Sequence, residues 1–146
     1  MQNDFRSGFI AIIGKPNVGK STLLNALLGQ KLVIATSKAQ TTRHRILGIH
    51  NDEKCQMVFS DTPGIIDPAH ELHKQMMVAV TESLEDADII LYMIEAGEKG
   101  PDTVILERLK TADVPVTLVI NKAETVDEVA LKEMADACKL LFDFND

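Results

Sequence analysis

The chain is 146 residues long, 45% hydrophobic and 25% charged, with a formal net charge of −7. That length and apolar share suit a single globular domain with a real core and exclude a disordered segment. The excess of carboxylates argues against a broad counterion-releasing grip on nucleic acid, and the apolar runs are far too short to span a bilayer. Cys55 and Cys138 lack the spacing of a zinc site or a disulfide framework and are expected to be reduced, buried thiols of a cytoplasmic protein. The polar start, Met1 to Ser7, is not a secretory signal.

In chain order, Phe9 to Ile13 reads as a buried, β-branched strand running into Gly14. Leu23, Leu24, Ala26, Leu27 and Leu28 form a helical stripe that Gly29 ends. Gln30 to Arg43 has no period and reads as a loop rich in Thr, Ser and Lys. Ile46–His50 and Gln56–Ser60 predict an antiparallel hairpin around Asn51-Asp52-Glu53-Lys54, and Asp61-Thr62-Pro63-Gly64 breaks the pattern. Leu72, Met76, Met77, Val80 and Leu84 recur at helical spacing, and a strand follows over Asp88–Met93. A helix carrying Val104, Leu106 and Leu109 is entered through Pro101-Asp102. Val116–Ile120 is a strand, and Asp127–Phe142 a final helix with Val129, Leu131, Met134, Cys138 and Leu141 as apolar positions. Strands alternating with helices predict an α/β fold, a mostly parallel sheet covered on both faces with one antiparallel edge strand. In such a sheet ligands bind beyond the carboxyl ends of the strands, where every motif below falls.

Gly14-Lys15-Pro16-Asn17-Val18-Gly19-Lys20-Ser21 matches the phosphate-loop pattern in full. Its glycines let the backbone curl with N–H groups inward, and the following helix, with Thr22 in its first turn, adds a positive end. Lys20 is expected at the β- and γ-phosphates, and the Ser21 hydroxyl on Mg²⁺. Asp61 at a strand end is expected to hold the Mg²⁺, directly or through water, and the Gly64 N–H to approach a γ-phosphate. The loop from Ser37 to Arg43 carries two threonine hydroxyls, at Thr41 and Thr42, one of which can join the Mg²⁺ and so order the loop. The alternative for that loop is a polar segment without a ligand.

Together Gly14–Ser21, Lys38-Ala39-Gln40-Thr41-Thr42-Arg43-His44-Arg45, Asp61–Gly64 and Asn121-Lys122-Ala123-Glu124 resemble, in order and spacing, the Era GTPases. Gln40-Thr41-Thr42-Arg43 is what sets Era apart from its tandem-domain and tRNA-modifying relatives. The resemblance implies a Ras-like three-layer P-loop fold and binding of GTP and GDP with Mg²⁺. It implies hydrolysis coupled to small-ribosomal-subunit (16S rRNA) maturation. It makes Thr42 the threonine that meets Mg²⁺ and groups Lys20, Thr42 and Gly64 as the catalytic set. Asn17 either coordinates a K⁺ that assists catalysis or shapes the loop by a hydrogen bond. Some family members also associate with the membrane surface.

The sequence departs from that pattern in several places. The base-reading motif ordinarily ends in Asp, and here Glu124 keeps the carboxylate but adds a methylene, which is expected to weaken guanine preference without removing it. Residue 65 is Ile, where Ras-like enzymes carry a water-orienting Gln, so slow intrinsic hydrolysis is expected. The family pattern calls for one more strand and helix and a KH-type RNA-binding domain after Asp146, so residues 1–146 are expected to be a GTPase domain with an open sheet edge. Arg43 and Arg45 read as solvated charges or domain contacts. His70 and His73, although at i, i+3 spacing, read as exposed residues, because Glu71 beside them does not make a zinc-protease motif. The rival readings are a nucleotide-dependent binding switch, an ATP-binding P-loop protein, and an inert fragment.

Overall fold

The computed structural model describes residues 4–29, 46–61, 81–82 and 84–145. Nine residues, Arg6–Gly14, form β1, and α1 (Lys20–Leu28) follows a five-residue loop. The hairpin strands are β2 (Ile46–Asn51) and β3 (Cys55–Asp61). Then come β4 (Ile89–Glu95), α2 (Thr103–Lys110), β5 (Val116–Asn121), a 3₁₀ turn at Ala123–Thr125 and α3 (Glu128–Leu141). Residues 81–82 and 84–86 are helical, the end of the helix predicted around Leu72–Leu84. The rest of that helix and the loop of residues 30–45 lie outside the described residues.

The strands form one sheet in the order β2-β3-β1-β4-β5. β1 pairs in parallel with β3 and β4, and β4 with β5, while β2 runs antiparallel to β3 at the edge. Asp52 explains the hairpin turn: one carboxylate oxygen accepts from the N–H groups of Lys54 (2.7 Å) and Cys55 (2.8 Å). Those two donors hold its carboxyl below the ordinary carboxylate range. β1 begins three residues earlier than its apolar run, because Arg6, Ser7 and Gly8 still have partners in Cys55, Gln56 and Met57. Pairing, not hydrophobicity, sets that boundary.

Alternation along β1 divides the core. Ala11 and Ile13 face Ile105, Leu106 and Leu109 of α2 and Cys138 of α3. Ile12 faces Leu24 of α1 and Phe59 of β3. Helices thus cover both faces, as the α/β reading requires. Two details differ from it. Cys55 is only half-buried, with its thiol on the Asp52 carboxylate at 3.4 Å, because it opens a strand beside the hairpin turn. On α3 the buried side is Leu131, Met134 and Cys138, at i, i+3 and i+7; Val129 falls off that stripe, and Leu141, in register with it, is the last residue of the helix, and both are exposed. Beyond α3, Phe144 stacks on Tyr92, and the Asn145 N–H donates to the Val116 carbonyl at 2.8 Å. A single parallel bridge, Thr117 to Asn145, therefore lies against the outer edge of β5.

Candidate nucleotide-binding site

Three strands deliver the motif residues to one end of the sheet. β1 ends at Gly14, β3 at Asp61 and β5 at Asn121. The β1–β3 register sets Asp61 opposite Ile12, two residues before the phosphate loop. Asp61 has its backbone described, but not its side chain. Thr42, Thr62, Pro63, Gly64 and Ile65 lie outside the described residues, as do Arg43, Arg45, His70 and His73.

The loop itself turns on its two glycines. A Cβ on Gly14 would run into the carbonyl oxygen of Met93 on the neighbouring strand, so no side chain fits at the root. Gly19 has φ 109°, a conformation that L side chains rarely adopt, and a Cβ there would collide with the Asn121 amide. Asn17 is also left-handed, φ 65°, which its short polar side chain tolerates, and it is exposed. Val18, 3% exposed, plugs the loop into the interior. Gly19 is the N-cap of α1 and brings no side chain to its first-turn N–H groups, which leaves those donors for an anion.

Lys20 is buried, at 6% exposure, and bends back under the loop. Its ammonium donates to the carbonyls of Lys15 (2.6 Å) and Gly14 (3.3 Å). A buried ammonium needs acceptors or an anion, and here carbonyl dipoles of the loop supply some of them. Ser21 follows in the first turn of α1, with Thr22 exposed next to it.

Asn121 joins the two ends of the site. Its side-chain amide donates to the Val18 carbonyl at 2.8 Å, across 103 positions of sequence. Lys122, at φ 56°, reaches the Asn17 carbonyl at 3.5 Å and pairs with Glu95 at 3.2 Å. Glu124 sits exposed on the 3₁₀ turn, and its carboxylate makes no hydrogen bond or ion pair among the described residues. The sequence reading overlooked Glu95, Glu98 and Asp102. Glu98 and Asp102 both face the Lys15 ammonium, at 3.1 and 3.9 Å. The signal was available: acidic residues just past the carboxyl end of a parallel strand lie at the ligand end of such a sheet.

A strand, a loop with glycine at both corners and a helix, braced by an asparagine from a distant strand, define a P-loop nucleotide-binding protein with a Ras-like fold. The chain belongs to the family described as 50S ribosome-binding GTPase, which it matches over residues 9–122. Within that family it is similar to Era. It is 50% identical over 147 residues to GTPase Era of Geotalea uraniireducens (strain Rf4), covering 99% of this chain and 50% of that protein. An Era structure solved with MgGDPNP and nucleotides 1506–1542 of 16S ribosomal RNA superposes with a TM-score of 0.85 at 41% identity, covering 91% of this chain and 46% of that one. NFeoB from S. thermophilus bound to GDP·AlF4⁻ and K⁺ gives a TM-score of 0.64 at 25% identity, over 81% and 45% of the two chains. The chain spans about half the length of the curated relatives it matches. No helix among the described residues is long and apolar enough to cross a membrane.

Proposed function

We propose that the chain binds guanine nucleotides and hydrolyses GTP to GDP and phosphate. The observation that carries this reading is the Asn121 bridge to Val18, which fixes the base-reading loop at a set distance from the phosphate loop. Gly14, Lys15, Pro16, Asn17, Val18, Gly19, Lys20, Ser21 and Thr22 form the phosphate-binding set, together with Asp61, Thr62, Pro63 and Gly64 of the Asp-Thr-Pro-Gly motif. Asn121, Lys122 and Glu124 read the base. The Glu124 carboxylate accepts hydrogen bonds from two guanine N–H groups, an arrangement adenine does not offer. Lys20 exchanges carbonyl partners for phosphate oxygens and meets the charge that develops on the γ-phosphoryl group during in-line attack by water.

Ser21, Thr42 and Asp61 are all oxygen donors, which suits a hard divalent cation such as Mg²⁺. When bound, that ion supplies charge neutralisation on the β- and γ-phosphates. The Thr42 hydroxyl and the Gly64 backbone N–H complete the catalytic set with Lys20. Ile65 brings no hydrogen bond to a water, so intrinsic turnover is slow. The left-handed, exposed Asn17 is the residue available to a K⁺, the ion found with the related NFeoB.

For the whole protein, the reading is an Era-like GTPase whose domain of residues 1–146 is joined to a KH-type RNA-binding domain. That protein acts on the small ribosomal subunit and its 16S rRNA, in the cytoplasm with peripheral contact to the membrane. The Era complex with 16S rRNA supports the rRNA part of this reading. The test is fluorescent GDP with Mg²⁺, competed separately by GTP and ATP, then single-turnover hydrolysis. Displacement by GTP alone, with slow phosphate release, is expected. Equal displacement by ATP means that Glu124 does not select guanine, and binding without release favours a switch over an enzyme.

A further inference from the structure

The segment between β4 and α2 is tied down at both ends. At its start the Glu98 N–H donates to the Glu95 carbonyl at 3.2 Å, and the Glu95 N–H donates to the Glu98 side chain at 2.9 Å. The Ala96 N–H donates to the Asn121 carbonyl at 2.8 Å. At its far end the Asp102 N–H donates to the hydroxyl of Tyr92, a core residue only 1% exposed. This braced segment presents one free carboxylate oxygen, Glu98 Oε2, to the Lys15 ammonium at 3.1 Å, with Asp102 behind it at 3.9 Å.

Ion pairs at surfaces are usually worth little, since both side chains lose rotamer freedom and water screens the charges. Here one partner has little freedom left to lose. Glu98 is mostly buried, its side chain 22% exposed, and its other oxygen is occupied by a backbone donor. Lys15 lies in the phosphate loop directly after Gly14, and of the Gly14 and Lys15 carbonyls that accept from Lys20 its own is the nearer. Holding the Lys15 side chain from outside therefore also steadies the carbonyl that holds Lys20 inside.

We propose that Glu98 is a positioning residue for the phosphate loop, acting through Lys15 to hold Gly14–Gly19 in its nucleotide-receiving curl. This inference rests on the reading of Gly14–Ser21 as a nucleotide site, but its central measurement does not need nucleotide. Glu98→Gln keeps an oxygen for the Glu95 N–H, and so keeps the turn, while removing the charge that Lys15 meets. Amide exchange across residues 15–19 of the nucleotide-free chain is expected to rise about threefold to fivefold in the variant, the range such a pair supports, with α3 unchanged. GDP affinity at about 0.3 M salt, where the field of a distant lone charge is screened but a contact pair is not, is expected to fall by a similar factor. Lys15→Met should do the same, and adding it to Glu98→Gln should do little more, because both break one interaction. Unchanged exchange in Glu98→Gln overturns the proposal. So do additive effects of the two substitutions, since Glu98 would then act by another route. If the parent chain fails to bind GDP, the nucleotide reading falls, and the exchange comparison still decides the role of Glu98.

Discussion

The two halves of the candidate site are built differently. The phosphate half is backbone wedged into the core: Gly14 pressed against Met93, Val18 and Lys20 nearly buried, Gly19 shaped by a positive φ. The base half is one exposed side chain, Glu124, on a three-residue turn past the sheet. Asn121, bonded to Val18, and Lys122, which reaches Asn17, belong to both. Where the site is made of backbone, altering it disturbs the fold, whereas altering Glu124 changes only what can be recognised. That contrast can be attacked at each step from the interior outward.

Gly14→Ala is the severest test. Its new methyl meets the Met93 carbonyl, backbone against backbone, with no flexible side chain to give way. Overpacking of this kind costs about 3 kcal/mol or somewhat more when neither neighbour can retreat. Urea unfolding is expected to show that loss together with abolished GDP binding. A loss below about 1 kcal/mol, the scale of a tolerated swap, would mean that the loop root is not wedged as described.

Tyr92 tests the interior beneath the phosphate half. Burial is the main cause that pushes its phenol from 10.0 up to about 12, with the nearby carboxylates of Asp102 and Glu98 adding to it. A raised folded value favours the protonated phenol, so the unfolded chain ionises first as pH rises. The associated stability is complete below pH 10 and is lost between about pH 10 and 12, on the order of 3 kcal/mol in all. Tyr92→Phe, compared by denaturant unfolding across that window, should flatten this part of the decline. It should also lose about 1 kcal/mol at neutral pH, as the Asp102 N–H gives up its acceptor. An equally steep alkaline decline in the variant would show that other groups dominate.

How much was legible beforehand follows the same division. The strand of residues 9–13, the loop and the helix were readable because β-branched runs, glycine spacing and helical periodicity are local properties. The mostly parallel sheet and its antiparallel edge followed from alternation and turn length, but the strand order did not. Long-range pairing was not readable. The start of β1 at Arg6 depends on Cys55, and the half-exposure of Cys55 depends on a turn that Asp52 organises. Lys15 could be named as a loop residue, but its partners Glu98 and Asp102 lie 83 or more positions away. Nothing in a periodic pattern ties those positions together.

Asp127 follows the base half, as the N-cap of α3 just past the base-reading turn. Its side chain accepts from the Ala130 N–H at 2.7 Å. Asp127→Ala is expected to cost about 1 kcal/mol, the usual value of such a cap. If GDP affinity drops with it, the base-reading turn depends on the helix that follows; if only the unfolding midpoint moves, the turn is held from the Asn121 side.

The smallest effect on the fold and the sharpest effect on recognition are expected together at Glu124. Glu124→Ala removes an exposed carboxylate with no described partner, so the unfolding midpoint should stay within about 0.5 kcal/mol of the parent. The same change takes away the acceptor for two guanine N–H groups. An unsatisfied polar contact of that kind costs about 1–3 kcal/mol, so the GTP-over-ATP preference should fall by roughly fivefold to more than a hundredfold. Glu124→Asp shortens the side chain by the one methylene that separates this motif from the family's, and is expected to raise the preference above the parent's. Parallel competition titrations on the three chains decide the matter. If selectivity is the same in all three, the base is chosen elsewhere and the base half of the site is not where Glu124 stands. If selectivity and stability fall together, Glu124 is part of the fold, and the contrast between the two halves fails.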